Sequence, residues 1–208
     1  MKIAIIDYGL GNLHSVLGAV RKVGYDAIVT NDASEILSSD RLILPGVGAY
    51  ADAMRNIKNL NLIEPLEEFV NIKKKPILGI CLGFQLLAKE SFEFGNHKGL
   101  GWIDASVEKF SSENKKIRIP HVGWNDLLKY RDSILWDGIP SEAIFYYVHS
   151  YYVNCKNEKI ITAKCRHGIE FVSAIQQENI FATQFHPEKS QFYGLQIIKN
   201  FIEKIKSC

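Results

Sequence analysis

Apolar residues follow two rhythms along this chain. In the first half, short continuous apolar runs alternate with stretches in which apolar positions recur every three or four residues. "KIAIIDY" (2–8) has the length of a strand. After "GLGN", Leu13, Val16, Leu17, Val20 and Val23 share one face of a predicted helix that Gly24 ends. "DAIVT" predicts a second strand, "ASEILSS" a short helix, and "RLILPG" a third strand stopped by Pro45. A helical region over roughly 50–70 leads to "PILGIC", a fourth strand, and "GFQLLAKE" (83–90), the helix that follows it. Strands this continuously apolar fit burial on both faces. Their alternation with helices implies right-handed crossovers and a parallel sheet covered on both sides.

From about Gly99 to Phe185 the texture changes to short strand-like runs separated by turn residues: "GWIDASVEKF", "KIRIPHVGW", "AIFYYVHSYYV", "KIITAKC", "IEFVSAIQ" and "IFATQF". "QQEN" closes a hairpin between the last two. A final helix over about 191–206 carries Leu195, Ile198, Phe201, Ile202 and Ile205 on one face. With no repeat, low-complexity tract or linker, residues 1–208 read as one α/β domain in which antiparallel strands extend or flank a central sheet.

Composition narrows the class. At 208 residues, 47% apolar and 23% charged, the chain has the proportions of a soluble globular domain. A formal charge of +2 gives no electrostatic case for nucleic acid or an anionic membrane surface. Lys73, Lys74 and Lys75 read as a solvated helix end before a buried strand. No apolar stretch approaches the ~18 residues of a membrane span, and the N-terminal run meets Asp7 too soon for a signal-peptide core. Four cysteines without an export signal point to the cytoplasm and to no disulfides. No metal-type spacing such as C-x-x-C occurs, so no metal is expected, and no cofactor is expected either.

One cysteine stands in a chemically suggestive place. "GICLGFQLL" (79–87) puts Cys81 at the carboxyl end of a buried strand, where open α/β sheets gather ligands. Gly79 and Gly83 permit a tight corner there. A sharp strand-to-helix turn exposes a nucleophile at the top of a sheet, and a helix N-terminus stabilises a thiolate. The Leu82 amide is then free to hold an oxyanion. The competing reading is a buried small hydrophobe, which also fits Cys155, Cys165 and Cys208. A cysteine nucleophile needs a base, and the base an orienting acceptor. In "QFHPEKS" (184–190), His186 ends a strand, Pro187 fixes the turn, and Glu188 lies two residues on, on the same side of an extended segment. "LPGVG" (44–48) ends the third strand, beside the fourth in a flavodoxin-like order. There Gly46 and Gly48 leave the Val47 amide free to rotate toward a carbonyl, unless the segment is an ordinary glycine turn.

"PGVG", "GICLGFQLL" and "FHPEKS", in this order, resemble the class I (triad) glutamine amidotransferases. "DYGLGNLHSV" (7–16), "PHVGWN" (120–125) and "FYYVHSYY" (145–152) resemble more narrowly the glutaminase subunits that feed a (β/α)8-barrel cyclase of the HisF type in histidine biosynthesis, and this likeness runs end to end. The resemblance implies a flavodoxin-like three-layer sandwich with a mostly parallel central sheet. It implies that Cys81 attacks the side-chain amide of glutamine, that His186 protonates the departing ammonia and then activates water, and that Glu188 orients His186. Val47 and Leu82 would donate the oxyanion amides, and Gly46, Gly48, Gln85, Ser150 and Tyr151 would hold glutamine. Asn12, Trp124 and Lys189 sit in motifs that face the cyclase in a heterodimer, although Trp124 by itself fits a core aromatic equally well.

The chain departs from the usual pattern at Phe84 and Val122, where methionine is common. "GLGWIDASVEKF" and "CKNEKIITAKCRHGIEF" resemble a paralogous branch that supplies ammonia to nucleotide-sugar amidation in surface-polysaccharide pathways. Two other classes stand beside these: a stand-alone hydrolase such as a γ-glutamyl peptidase, and a non-catalytic scaffold. The first has no need of the "GLGN" and "GWN" motifs, and the second would have lost a member of the triad.

Overall fold

Alternate residues of the central strands enter two different cores, and this organises the molecule. The computed structural model describes residues 1–111 and 117–205. β1 (Ile3–Ile6) leads to α1 (Leu13–Lys22), β2 (Ile28–Thr30) to α2 (Ala33–Ser38), and β3 (Arg41–Leu44) to α3 (Tyr50–Asn59). The helical region expected over 50–70 is interrupted. α3 ends at Asn59, Asn61 takes a φ of 53°, and α4 (Ile63–Glu67) restarts before widening into a π-helical turn, Glu68–Ile72. β4 (Ile77–Ile80) follows and turns directly into α5 (Leu82–Leu86).

The helix predicted over 83–90 stops at Leu86, and Ala88–Ser91 is a strand, β5. The reason is tertiary. The Leu87 carbonyl accepts from the Trp102 and Ile103 amides, and β5 pairs in parallel with β7 (Ile103–Lys109) while β6 (His97–Lys98) returns against its other edge. Local periodicity does not report a partner that distant in sequence. The apolar run 143–153 likewise breaks at Ser150 into two strands that join different sheets. The run over 116–124 begins at Lys116, outside the described residues, and is a strand only from His121. Cys208 and residue 206 also lie outside them.

The remaining elements are β8 (His121–Asp126), β9 (Leu128–Lys129), β10 (Ile144–His149), β11 (Tyr151–Cys155), β12 (Ile161–His167), β13 (Ile169–Gln177), β14 (Ile180–Thr183) and α6 (Gln191–Glu203). The central sheet runs β2-β1-β3-β4-β14-β13-β12-β9. It is parallel from β2 to β14 and antiparallel beyond, through the hairpin expected at "QQEN". The first strands follow the flavodoxin-like order, so β3 lies beside β4. β10 pairs with β8, and β11-β7-β5-β6 form a third, smaller sheet.

On one face, Ile3, Ile5, Ile43, Leu78 and Phe181 pack beneath α1 and α6 (Val16, Val20, Ile198, Phe201). On the other, Ala4, Ile6, Leu42, Leu44 and Ala182 pack against α3, α5 and β7 (Ile57, Phe84, Val107). The result is a three-layer α/β sandwich. Burial of such aliphatic side chains contributes about 1.5–3 kcal/mol each, enough to hold the carboxyl ends of β3, β4 and β14 at fixed relative height.

Candidate active site

Glycine places the nucleophile corner. A Cβ on Gly83 would overlap the Leu44 carbonyl oxygen at the end of β3, and one on Gly46 would overlap the Tyr8 hydroxyl and the Leu82 side chain. Without those methyls, α5 lies flush against the end of β3, with Cys81 and the 45–48 segment side by side. Cys81 itself has a positive φ, at φ 54° and ψ −106°, with its amide donating to the Thr183 carbonyl at 2.8 Å. A non-glycine residue holds this conformation only where its surroundings over-determine it. The amides at the start of α5 have no partner inside the helix. The Tyr8 hydroxyl donates to the Pro45 carbonyl at 2.7 Å, which fixes the peptide just before Gly46. Burial first, and the neighbouring Cys81 second, raise the Tyr8 phenol far above its ordinary pKa, so it stays a donor.

Cys81 opens on a cavity of about 600 Å³. Val47, Gly48, Leu82, Gln85, Ser150 and Tyr151, expected at the site from the sequence, line it as well, and so does Lys189, expected at the partner interface. His186 and Glu188 stand behind the sulfur. The His186 amide donates to the Tyr146 carbonyl at 2.9 Å, and the Ser190 hydroxyl donates to the His186 carbonyl at 2.6 Å. His186 Nδ1 meets Glu188 Oε1 at 2.8 Å, with both side chains almost wholly buried. Burial works to strip the proton from this imidazole. The Cys81 sulfur, as charge and as hydrogen-bonding neighbour, and then Glu188 outweigh it and hold the His186 pKa at about 10. Among the described residues, His186 Nε2 and Glu188 Oε2 have no aligned hydrogen-bond partner. The Cys81 sulfur thus acts on the His186 proton without an aligned hydrogen bond to Nε2, as is usual before substrate binds.

The predicted interface residues occupy separate places. Trp124, 43% exposed on β8, is a surface residue and packs edge-on to Tyr146. The Lys189 ammonium lies 5.9 Å from the Tyr146 ring centroid. Asn12 caps α1, its side chain accepting from the Ser15 amide at 3.3 Å, and is not part of the cavity lining.

Three residues near the sulfur escape a reading of the sequence. Glu93 lines the cavity and accepts from the Tyr50 amide at 2.6 Å, at the start of α3. His149 lines it too, its Nδ1 2.8 Å from the Tyr151 carbonyl oxygen. Gln184, fully buried, donates to Cys81 Sγ at 3.6 Å. Only Gln184 had a sequence signal: it precedes His186 by two residues, the spacing that puts side chains on one side of an extended chain. Gln85 differs from expectation in one respect. Its Nε2 is already committed to the Tyr151 carbonyl and to Gln184 Oε1, which leaves only its oxygen for a ligand.

Comparison with known proteins agrees with this geometry. The family model for glutamine amidotransferase class-I matches residues 4–205. The imidazole glycerol phosphate synthase subunit HisH 1 of Campylobacter jejuni (strain RM1221) is 48% identical, covering 96% of this chain and 98% of its own. The subunit HisH 2 of Vibrio vulnificus (strain YJ016) is 47% identical over 99% of this chain and 96% of its own. Among solved structures, PurLQS from Thermotoga maritima shares the fold, with a TM-score of 0.75 over 99% of both chains at 17% identity. Near-half identity along almost the whole length, on a strand-corner cysteine backed by a buried histidine–glutamate pair, places this chain in the class I glutamine amidotransferase family, within its HisH branch.

Proposed function

We propose that this chain is the glutaminase subunit of an imidazole glycerol phosphate synthase, hydrolysing glutamine and passing the ammonia to a HisF-type (β/α)8-barrel cyclase. The observation that carries this reading is the Cys81 corner opening on a cavity of about 600 Å³, with room for glutamine, and with the His186–Glu188 pair behind it. The Cys81 thiolate attacks the side-chain carbonyl carbon of glutamine, and the oxyanion forms against the Val47 and Leu82 amides. As the tetrahedral adduct collapses, His186 gives its proton to the departing nitrogen, which leaves as ammonia, and a glutamyl thioester remains. The now neutral His186 takes a proton from water, whose hydroxide attacks the thioester carbon. Glutamate leaves and the sulfur regains its starting charge. A His186 pKa of about 10 supports a resting imidazolium ready for the first proton transfer.

Among the described residues lining the cavity, Glu93 carries the one negative charge and Lys189 the one positive charge. Glu93 pairs with the α-ammonium of the bound amino acid, while Gly46, Gly48, Gln85, Ser150 and Tyr151 hold its remaining polar groups. Asn12, Trp124 and Lys189 face the cyclase. Free ammonia is protonated in neutral water and then no longer nucleophilic, so a sealed route into the partner has a chemical purpose. Residues 1–208 act as one amidotransferase domain, in the cytoplasm. Among the described residues no helix is long and apolar enough to cross a membrane.

The test is glutamate release by the purified chain, alone and with the cyclase and its ribulosyl-phosphate substrate. Turnover should be slow alone and rise by at least tenfold in the complex, and Cys81→Ala should abolish it. Full turnover by Cys81→Ala would refute the reading of the site. Stimulation by a nucleotide-sugar synthetase in place of the cyclase would move the chain to the paralogous branch.

A further inference from the structure

Two buried side-chain amides connect the candidate nucleophile to a pair of imidazoles, and one backbone oxygen fixes the direction of every hydrogen bond among them. The Tyr151 carbonyl can only accept. His149 Nδ1, 2.8 Å away, therefore carries that ring's proton, and His149 Nε2 accepts from His121 Nδ1 at 3.0 Å. His121 Nε2 in turn accepts from Asn125 Nδ2 at 3.2 Å, which also donates to the Arg166 carbonyl. Burial lowers both imidazoles, His149 to about 3 and His121 to about 4, so the rings are neutral and this order of donors holds at neutral pH.

The same carbonyl orients the other side. Gln85 must turn its Nε2 toward it, at 2.9 Å, and the second N–H then reaches Gln184 Oε1 at 3.1 Å. With its oxygen so engaged, Gln184 has one orientation left, with Nε2 toward Cys81 Sγ at 3.6 Å. Flipping either amide sets oxygen against oxygen or N–H against N–H. On its other side, the sulfur faces an acceptor, the Val148 carbonyl, at 4.0 Å. A thiol can donate to Val148, whereas a thiolate is served by Gln184. Burying a side-chain amide is costly unless it is hydrogen-bonded, and an apolar residue would fill this site without that cost.

We propose that Gln184 is a positioning residue for the glutaminase reaction, its N–H aimed by Gln85 and the Tyr151 carbonyl so that it holds the Cys81 sulfur at the corner and stabilises it as an anion. This rests on Cys81 being the nucleophile, and the experiment keeps the two claims apart. Alkylation of the full-length chain by iodoacetamide is followed against pH for the wild type, Gln184→Met and Gln184→Glu, with Cys81→Ala to identify the labelled thiol. A hydrogen bond to a charged group is strong enough that its loss should slow alkylation at pH 7 about tenfold and move the profile about one unit to higher pH.

Gln184→Glu keeps the volume and the bond from Gln85, so it should fold. It should alkylate still more slowly, because a carboxylate replaces the donor. In the stimulated complex, both variants should lose at least about tenfold in kcat with KM for glutamine changed by less than about twofold. Wild-type alkylation profiles in both variants would overturn the role of Gln184 while leaving the nucleophile intact. Unimpaired glutamine hydrolysis by Cys81→Ala would remove the nucleophile itself.

Discussion

At the scale of single residues, the chemistry turns on how firmly one proton is held. Glu188 turns one oxygen on His186 at 2.8 Å, and its second has no hydrogen-bond partner among the described residues, so the contact directs its charge at a single imidazole. Glu188→Gln preserves the shape and can still accept from Nδ1–H, but it removes that charge. Of the influences that keep the proton on His186, Glu188 would then be lost and the sulfur would remain. The expected outcome is a fall in kcat of about 10²-fold or more, with the alkaline limb of the pH–rate profile displaced to lower pH. A profile unchanged in shape would mean that Glu188 only packs.

At the scale of elements, the site depends on how closely α5 approaches β3. Gly83→Ala places a methyl on the Leu44 carbonyl, so the strand end and the helix must separate. Overpacking of this kind costs about 1–3 kcal/mol, and here the displacement falls on the Cys81–Val47 spacing. A lower urea midpoint and at least a tenfold loss of glutaminase rate are expected. Gly18, inside α1, has nothing among the described residues within 4 Å of an added Cβ beyond its own helix backbone. Gly18→Ala should therefore stabilise by about 0.5–1 kcal/mol and leave the glutaminase rate unchanged. The contrast between the two, read in the same unfolding experiment, separates a packing glycine from an incidental one.

At the scale of the whole molecule, the buried imidazole pair ties stability to pH. His121 lies stacked between Tyr147, at 4.8 Å, and His167, at 4.1 Å, and bonds to His149, which packs in turn against Phe110 and Phe171. In the unfolded chain each imidazole takes a proton near pH 6.5. In the folded chain His121 does so only near 4 and His149 near 3. Between those limits the unfolded state binds more protons. Stability from the pair is therefore complete above about pH 6.5 and is lost as pH falls toward 3. The urea midpoint should drop steadily from pH 7 to pH 4.5, and a His121→Asn/His149→Asn double variant should flatten that slope. An equal slope in both proteins would show that other groups govern the acid limb.

What the amino-acid order determined by itself is everything whose cause lies within a few residues. Continuous apolar runs became the parallel strands because both faces are buried in all of them except the edge strand β2, where Val29 is exposed. The corner at Cys81 was legible from Gly79 and Gly83, and the His186–Glu188 pairing from a separation of two. The strand nevertheless ends at Thr183, and Glu188 lies in a 3-10 turn, Pro187–Lys189, instead of the expected extended chain. Only the tertiary structure decided that Ala88–Ser91 is a strand, because β7 supplies its hydrogen bonds. It also decided that Trp124 is exposed, and that Gln184 reaches Cys81, 103 positions away, with its orientation dictated by Gln85. The physical reason is common to all three. Hydrophobic spacing and backbone propensity act locally, whereas the partner of a buried hydrogen-bonding group is chosen only when the sheet brings distant strand ends together.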